Sequence, residues 1–223
     1  MMKSKFLGMG ALALFASQPL GAEVTESDDD GFVTRDEAVV DADPKTVWLA
    51  LISPARWWNS SHTWSGDSAN LTLMPQAGGC FCERIPEDPD PAKITLEGSV
   101  EHMRVIHAFP ETALRLQGAL GPLQSEPVVG VLTIAISEVD EGTRIVWEYA
   151  VGGSMRFEVP VIANAVDGVM SEQLNGLAEA LGRSGAAGEA SGSSETDDDE
   201  TGAEASEGAG VGDDFLEGIN RIH

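Results

Sequence analysis

The chain has 223 residues, with 37 Asp and Glu against 13 Lys and Arg, and a formal net charge of −24 at pH 7. A surface this acidic repels phosphate backbones and anionic lipid, which argues against nucleic-acid binding and against anionic membrane surfaces. The length fits one domain of ordinary size with appendages.

Residues 1–22 have the pattern of a secretory signal peptide. Lys3 and Lys5 precede an apolar run at 6–16, and Gly21-Ala22 offers a cleavage point before Glu23. The apolar run is shorter than the roughly 20 residues that span a bilayer. We therefore expect a periplasmic or secreted protein with no stable membrane insertion after cleavage, which starts with an acidic linker at residues 23–32.

An edge strand is predicted at residues 31–42, followed by a first helix. Asp43 is a typical N-cap and Pro44 suits the first helical turn, whereas Pro54 ends the helix. Residues 55–64 form a short aromatic-rich segment that predicts a second small helix and a loop.

Six strands are predicted next, because runs of β-branched and apolar residues alternate with turn residues at 70–74, 79–85, 94–108, 113–116, 128–139 and 143–151. In the last run Ile145, Trp147 and Tyr149 alternate with Arg144 and Glu148, as in a half-buried antiparallel strand.

One long amphipathic helix closes the domain at residues 158–181. Its apolar residues recur every three to four positions, which is typical of one buried face: Val159, Ile162, Ala163, Val166, Met170, Leu174, Leu177 and Leu181. From residue 183 to 223 Gly, Ala, Ser, Glu and Asp dominate, and this composition predicts an acidic disordered tail.

Three local patterns resemble the START/Bet v 1-like superfamily, the SRPBCC and polyketide-cyclase group. They are Val-Val-Asp-Ala-Asp-Pro-Lys-Thr-Val-Trp at 39–48, Pro-x-x-x-Trp at 54–58 and Pro-x-x-Gly-Gly-x-Phe at 75–81. The resemblance implies an α+β helix-grip fold over residues 33–182, in which a curved antiparallel sheet wraps around a long C-terminal helix.

That resemblance also implies a range of functions. Members bind lipids, hormones or polyketides, some catalyse cyclisation or hydrolysis, and some activate the Hsp90 ATPase. The chain is most similar to exported bacterial members, which are often labelled by their likeness to Hsp90 activators. Because Hsp90 and ATP are cytosolic, an exported chain could not fill that last role.

A space between the sheet and the closing helix is the expected binding site. Trp lines apolar cavities efficiently and offers one N–H donor, although the indoles could equally fill the core. Segment 118–127, with Gly118 and Gly121, is either a mobile lid or a plain strand connection. The predicted ligand-binding residues are Trp57, Trp58, His62, Trp64, Met103, Leu120, Leu123, Trp147, Tyr149 and Met170.

Metal and cofactor binding are not expected. Zinc needs three or four converging ligands, and no spacing among the candidates is typical of a zinc site: Cys80, Cys82, His62, His102 and His107. A disulfide between the two cysteines is also not expected, since residues two apart in a strand are about 6.6 Å apart. Buried, inert thiols are predicted instead.

One cluster of polar residues on central strands could support acid–base chemistry: Glu83, Glu101, His102 and Arg104. Glu101 and His102 point to opposite faces, so at most one of them can join Glu83, and surface placement is expected. We therefore predict an exported binding protein for a small hydrophobic ligand. The alternatives are a cyclase- or hydrolase-type enzyme using the same cavity, or an Hsp90-activator-like protein-interaction module that uses the acidic tail and whose partner is unknown.

Overall fold

The computed structural model describes residues 23–90 and 92–183. The predicted signal peptide and nearly all of the predicted tail lie outside the described residues. Within the described ranges the chain is an α+β domain of eight strands and two α-helices joined by loops and short 3₁₀ turns. The strands are β1 (Glu23–Ser27), β2 (Gly31–Val40), β3 (Leu71–Leu73), β4 (Cys80–Ile85), β5 (Gly98–Phe109), β6 (Ala113–Gly118), β7 (Val128–Val139) and β8 (Gly142–Gly153). The helices are α1 (Pro44–Leu51) and α2 (Val159–Ala180).

All eight strands form one antiparallel sheet in the order β1-β2-β8-β7-β6-β5-β4-β3. The run from β3 to β8 is a meander, and the first hairpin joins it along β8. The prediction of β2 as an edge strand is therefore wrong. Residues 23–27, expected to be linker, pair with it as β1, for example Val24 opposite Thr34.

Helix α1 begins where its capping residues predict. The Asp43 carboxylate accepts hydrogen bonds from the backbone N–H groups of Lys45 (3.0 Å) and Thr46 (3.1 Å), and Pro44 occupies the first turn. Val47, Trp48 and Leu51 form its buried face.

Helix α2 packs against β1 and β2, and the predicted apolar positions from Val159 to Leu177 form its buried face, whereas Leu181 is half-buried at the C-cap. Its C-terminal end is tied to the end of β2, because the Asp41 N–H donates to the Gly182 carbonyl at 2.8 Å. The core between sheet and helices is dominated by aliphatic and aromatic residues, with Leu174, Leu177 and Ile145 almost fully buried. No helix in the described ranges has the length and apolar character needed to cross a membrane.

A β-bulge in β5 determines which side chains reach the core near β4. Phe81 pairs with Met103 but Cys82 pairs with Glu101, so His102 is the extra residue. As a result the neighbours His102 and Met103 are both buried, which a regular strand would not allow.

Candidate functional site

The predicted ligand-binding residues divide by depth. Met103, Leu123, Trp147, Tyr149 and Met170 are buried, and Trp57, Trp58, His62 and Leu120 are half-buried. Trp64 is 42% exposed. The tryptophans thus range from an exposed ring to a fully enclosed one.

Five of the aromatic rings form a continuous row, here called the aromatic row: Trp147, Trp57, Trp58, Phe81 and His102. Neighbouring ring centroids are 5.9, 5.6, 5.2 and 5.2 Å apart in that order, the spacing of favourable tilted and edge-to-face pairs. The row runs from β8 through the segment after α1 to β4 and β5. Phe81 and His102 were not predicted as part of the site, although Phe81 lies within the motif at 75–81.

The half-buried indoles of the row are held by backbone carbonyls. Trp57 Nε1 donates to the Ala50 carbonyl at 2.9 Å, and Trp58 Nε1 donates to the His62 carbonyl at 3.1 Å. His62 itself lies 2.8 Å from a carboxylate oxygen of Glu172 on α2. These contacts attach the aromatic-rich segment to the helices on either side.

Helix α2 meets the same segment through Gln173 and Gly176. Gln173 is fully buried, and its Oε1 accepts the Asn59 N–H at 2.8 Å. At Gly176 a side chain is excluded, because a Cβ would lie 2.5 Å from the Trp57 carbonyl oxygen. Gln173 was not predicted as a site residue, although a polar residue beside Met170 and Leu174 on an apolar helix face is a visible sequence signal.

Two buried side-chain donors have no acceptor within the part of the chain that the structure describes: Trp147 Nε1 and Gln173 Nε2. Trp147 is 2% exposed and Gln173 is 0% exposed. A buried donor without an acceptor costs on the order of 1–3 kcal/mol, so such groups call for an explanation.

A buried carboxylate–imidazole pair lies at the far end of the aromatic row. His102 Nε2 is 2.9 Å from Glu83 Oε2, and the same carboxylate accepts backbone N–H bonds from Trp64 (3.1 Å) and Ser65. Burial favours the neutral acid, but the bonds from Ser65, Trp64 and His102 outweigh it and lower the pKa of Glu83. Burial also lowers the pKa of His102, against the opposing effect of Glu83. The pair is therefore a carboxylate with a neutral imidazole that is protonated on Nε2.

The expectation of surface placement for the polar cluster is wrong for Glu83 and His102 and correct for the other two residues. Glu101 and Arg104 are exposed and pair with each other at 3.1 Å. Glu101 and His102 do point to opposite faces, as predicted.

The cysteine prediction is wrong. Cys80 and Cys82 form a disulfide, and their Cα atoms are 5.4 Å apart. This is shorter than the roughly 6.6 Å of a regular strand and within the range that a disulfide accepts. The pairing of β4 with β5 also shifts register between Phe81 and Cys82, within the stretch that the disulfide spans.

Segment 118–127 contains a 3₁₀ turn, Gly121–Ser125, with Leu123 completely buried. The Leu120 N–H donates to the Tyr149 hydroxyl at 3.3 Å, and burial raises the pKa of Tyr149 well above its ordinary value. At the end of the segment the buried Glu126 carboxylate accepts three bonds from Arg156, from the backbone N–H (2.8 Å), Nε (2.8 Å) and Nη2 (2.6 Å). These bonds lower the pKa of Glu126 and close the segment onto the loop before α2.

Two solvent-open clefts are lined by residues outside the aromatic row. One, of about 730 Å³, is acidic and is lined by residues of 41–44 and 138–143. The other, of about 370 Å³, lies between β3, β4 and the start of β5 and includes Cys82 and Glu83. None of the ten predicted ligand-binding residues lines either cleft. Within residues 23–90 and 92–183, no three His, Cys, Asp or Glu side chains gather as potential metal ligands.

No protein-family model matches the chain, and no curated protein matches its sequence. Its fold is similar to that of an uncharacterized protein from Rhizobium leguminosarum, with a TM-score of 0.50 and 17% identity over 72% of this chain and 96% of that one. A protein from Mesorhizobium loti has a TM-score of 0.46 and 15% identity, over 67% of this chain and 96% of that one. The similarity to the Rhizobium leguminosarum protein concerns the fold alone.

Proposed function

We propose that the chain is an exported binding protein for a small hydrophobic molecule, held between the sheet and α2. The observation that carries the proposal is the gradation of tryptophans, from the exposed Trp64 through the half-buried Trp57 and Trp58 to the enclosed Trp147. A packed core alone needs no such series, whereas an apolar molecule entering from solvent would contact indoles along its whole path.

A helix-grip fold and membership of the START/Bet v 1-like superfamily belong to the same proposal. The antiparallel sheet, the long C-terminal helix and the order of elements agree with that architecture. The Pro-x-x-Gly-Gly-x-Phe pattern also has a structural reason: a Cβ at Gly79 would lie 2.1 Å from the Met74 carbonyl oxygen, so this turn requires glycine.

Export is supported by the cysteines as well as by the N-terminal sequence. Disulfides persist in oxidising compartments and are rare in the cytosol, and the chain has a Cys80–Cys82 disulfide. A periplasmic or secreted location would follow. N-terminal sequencing of the protein purified from its source tests this: a start at or near Glu23 agrees with export, and a retained Met1 contradicts it.

Ligand binding is tested by tryptophan fluorescence titration with fatty acids, sterols and aromatic polyketides. We expect at least one class to quench the fluorescence with a Kd of about 1 µM or lower, which corresponds to roughly −8 kcal/mol. Trp64→Ala should weaken binding at least fivefold with little change in Tm, because Trp64 is substantially exposed. Leu49→Ala is the matched control, since Leu49 is also an exposed apolar residue (54%) but lies on α1. If none of the three classes binds, the proposal fails.

The Glu83–His102 pair favours a second candidate, an enzyme that uses the same cavity. Glu83 holds the proton of His102 on Nε2, so Nδ1 is the basic atom, and the imidazole touches Phe81 at the end of the aromatic row. This is the arrangement of a general base with a positioning carboxylate. Hydrolysis of naphthyl acetate by the purified protein, abolished in His102→Asn but retained in the surface variant His107→Asn, would support this candidate. Equal hydrolysis by the two variants would exclude it.

A further inference from the structure

Trp147 and Gln173 face the same interior from opposite sides. Trp147 alternates with the buried residues Ile145 and Tyr149 on the inner face of β8, and Gln173 lies on the buried face of α2. The two are linked through the aromatic-rich segment, since Trp57 packs on the Trp147 ring and Asn59 donates to Gln173.

The hydrogen bond from Asn59 shows which end of the Gln173 amide is the oxygen and which is the nitrogen. A backbone N–H can only donate, so the Asn59 N–H must face Oε1 of Gln173, and Nε2 must point away from it. For Trp147 no such assignment is needed, because an indole nitrogen is always a hydrogen-bond donor. Both atoms have no acceptor among the described residues and therefore require one, since neither can be satisfied by another donor.

The surroundings disfavour an anionic acceptor. Asp36 lies directly opposite Trp147 in the β2–β8 pairing, so the two side chains share one face of the sheet. Burial is the largest influence on Asp36 and raises its pKa against the opposing charge of Arg183, and Asp167 on α2 has a pKa raised by burial, by Asp36 and by Glu23. A further carboxylate beside these groups would add to the repulsion and to the desolvation cost.

We propose that Trp147 Nε1 and Gln173 Nε2 donate hydrogen bonds to a carbonyl oxygen of the bound molecule. The ligand class is then an uncharged apolar molecule with a ketone, quinone or ester group, and neither a plain hydrocarbon nor a fatty acid. This inference rests on the proposed binding function and specifies its ligand.

Three probes with one ring system separate the possibilities: acetonaphthone carries a neutral carbonyl, ethylnaphthalene carries none, and naphthoate carries a carboxylate. We expect the wild-type protein to bind acetonaphthone at least tenfold more tightly than ethylnaphthalene, and naphthoate most weakly. A factor of ten corresponds to about 1.4 kcal/mol. Affinities are measured by fluorescence titration and confirmed by calorimetry.

Two variants test whether Trp147 and Gln173 cause the preference for the probe with a carbonyl group. Trp147→Phe removes the N–H and retains an aromatic ring, and Gln173→Met removes the amide and retains an unbranched side chain. Each should reduce the preference for acetonaphthone over ethylnaphthalene to about threefold or less, without weakening ethylnaphthalene binding more than about threefold. Gln117→Leu, an exposed glutamine of β6, is the control and should leave the preference unchanged.

The outcomes are distinct. If all three probes bind the wild-type protein equally, or if the preference persists in both variants, the carbonyl site is refuted while the proposed binding function stands. If no probe binds, the proposed function fails for ligands of this size, and the carbonyl site fails with it.

Discussion

Replacement of the buried carboxylate in Glu83→Gln should be strongly destabilising. Glu83 is 1% exposed and accepts from Trp64, Ser65 and His102. A glutamine amide keeps one oxygen and turns the other acceptor into a donor that faces donors. One or two of the three bonds are then lost, and each buried donor left unpaired costs about 1–3 kcal/mol. We expect the free energy of unfolding to fall by about 3 kcal/mol and the Tm to fall by roughly 6–12 °C for a domain of this size.

Glu101→Gln is the matched control for this experiment. Glu101 is adjacent to His102 on the same strand, but it is exposed and its side chain pairs with the exposed Arg104. Surface pairs of this kind contribute roughly 0–1 kcal/mol. In thermal and urea unfolding, Glu83→Gln should therefore lose clearly more stability than Glu101→Gln. Equal losses of stability would refute the assignment of Glu83 as the residue that organises the Trp64–Ser65 backbone.

The same pair gives the domain a defined pH dependence. The pKa values of His102 and Glu83 are both lower in the folded state than their ordinary values of 6.5 and 4.5. The unfolded chain therefore binds these protons first as the pH falls, and stability is lost below about pH 6.5 from His102 and below about pH 4.5 from Glu83. The difference in the free energy of unfolding between wild type and Glu83→Gln should shrink below about pH 4.5. Urea unfolding between pH 7 and pH 3 measures this difference. A difference that stays constant over that range would show that Glu83 is not ionised in the folded protein.

Three further substitutions test other parts of the structure. Gly130→Ala should lower stability by about 1–3 kcal/mol, because its Cβ would lie 2.5 Å from the Tyr149 ring, whereas Gly152→Ala has open space and should be close to neutral in the same melts. Glu126→Gln should speed hydrogen exchange in segment 121–125, since it weakens the bonds that close this segment onto the loop before α2; unchanged exchange would contradict that role. Asp167→Asn should raise the Tm at pH 7, because burial and two neighbouring carboxylates raise its pKa and make its charge unfavourable in the folded state. That gain should disappear near pH 3, where the acid is protonated, and a gain that persists there would have another cause.

Much of the fold could be predicted from the sequence, because the relevant signals are local. Asp43 and Pro44 mark the start of α1, and three-to-four spacing marks α2 to within one residue at each end. The six strand predictions each correspond to one of β3 to β8. The alternation along β8 likewise identified Trp147 and Tyr149 as inward-facing.

The pairing partners and the interior polar contacts could not be predicted in this way. β1 has little apolar character, and only its pairing with β2 makes it part of the sheet. The bonds between Glu126 and Arg156 join residues that are 30 positions apart, and no local pattern relates them.

The sequence by itself determined where the chain turns, which residues alternate and where the long helix runs, since these follow from side-chain period and capping. The tertiary structure decided what those elements bring together. One extra residue in β5 turned His102 toward Glu83, where its ring makes a tilted contact with Phe81. The same shift in pairing accompanies the Cys80–Cys82 disulfide, which the spacing in a regular strand argues against. A one-residue change of register reverses the direction of side chains on a strand, and only the paired sheet shows whether it occurs.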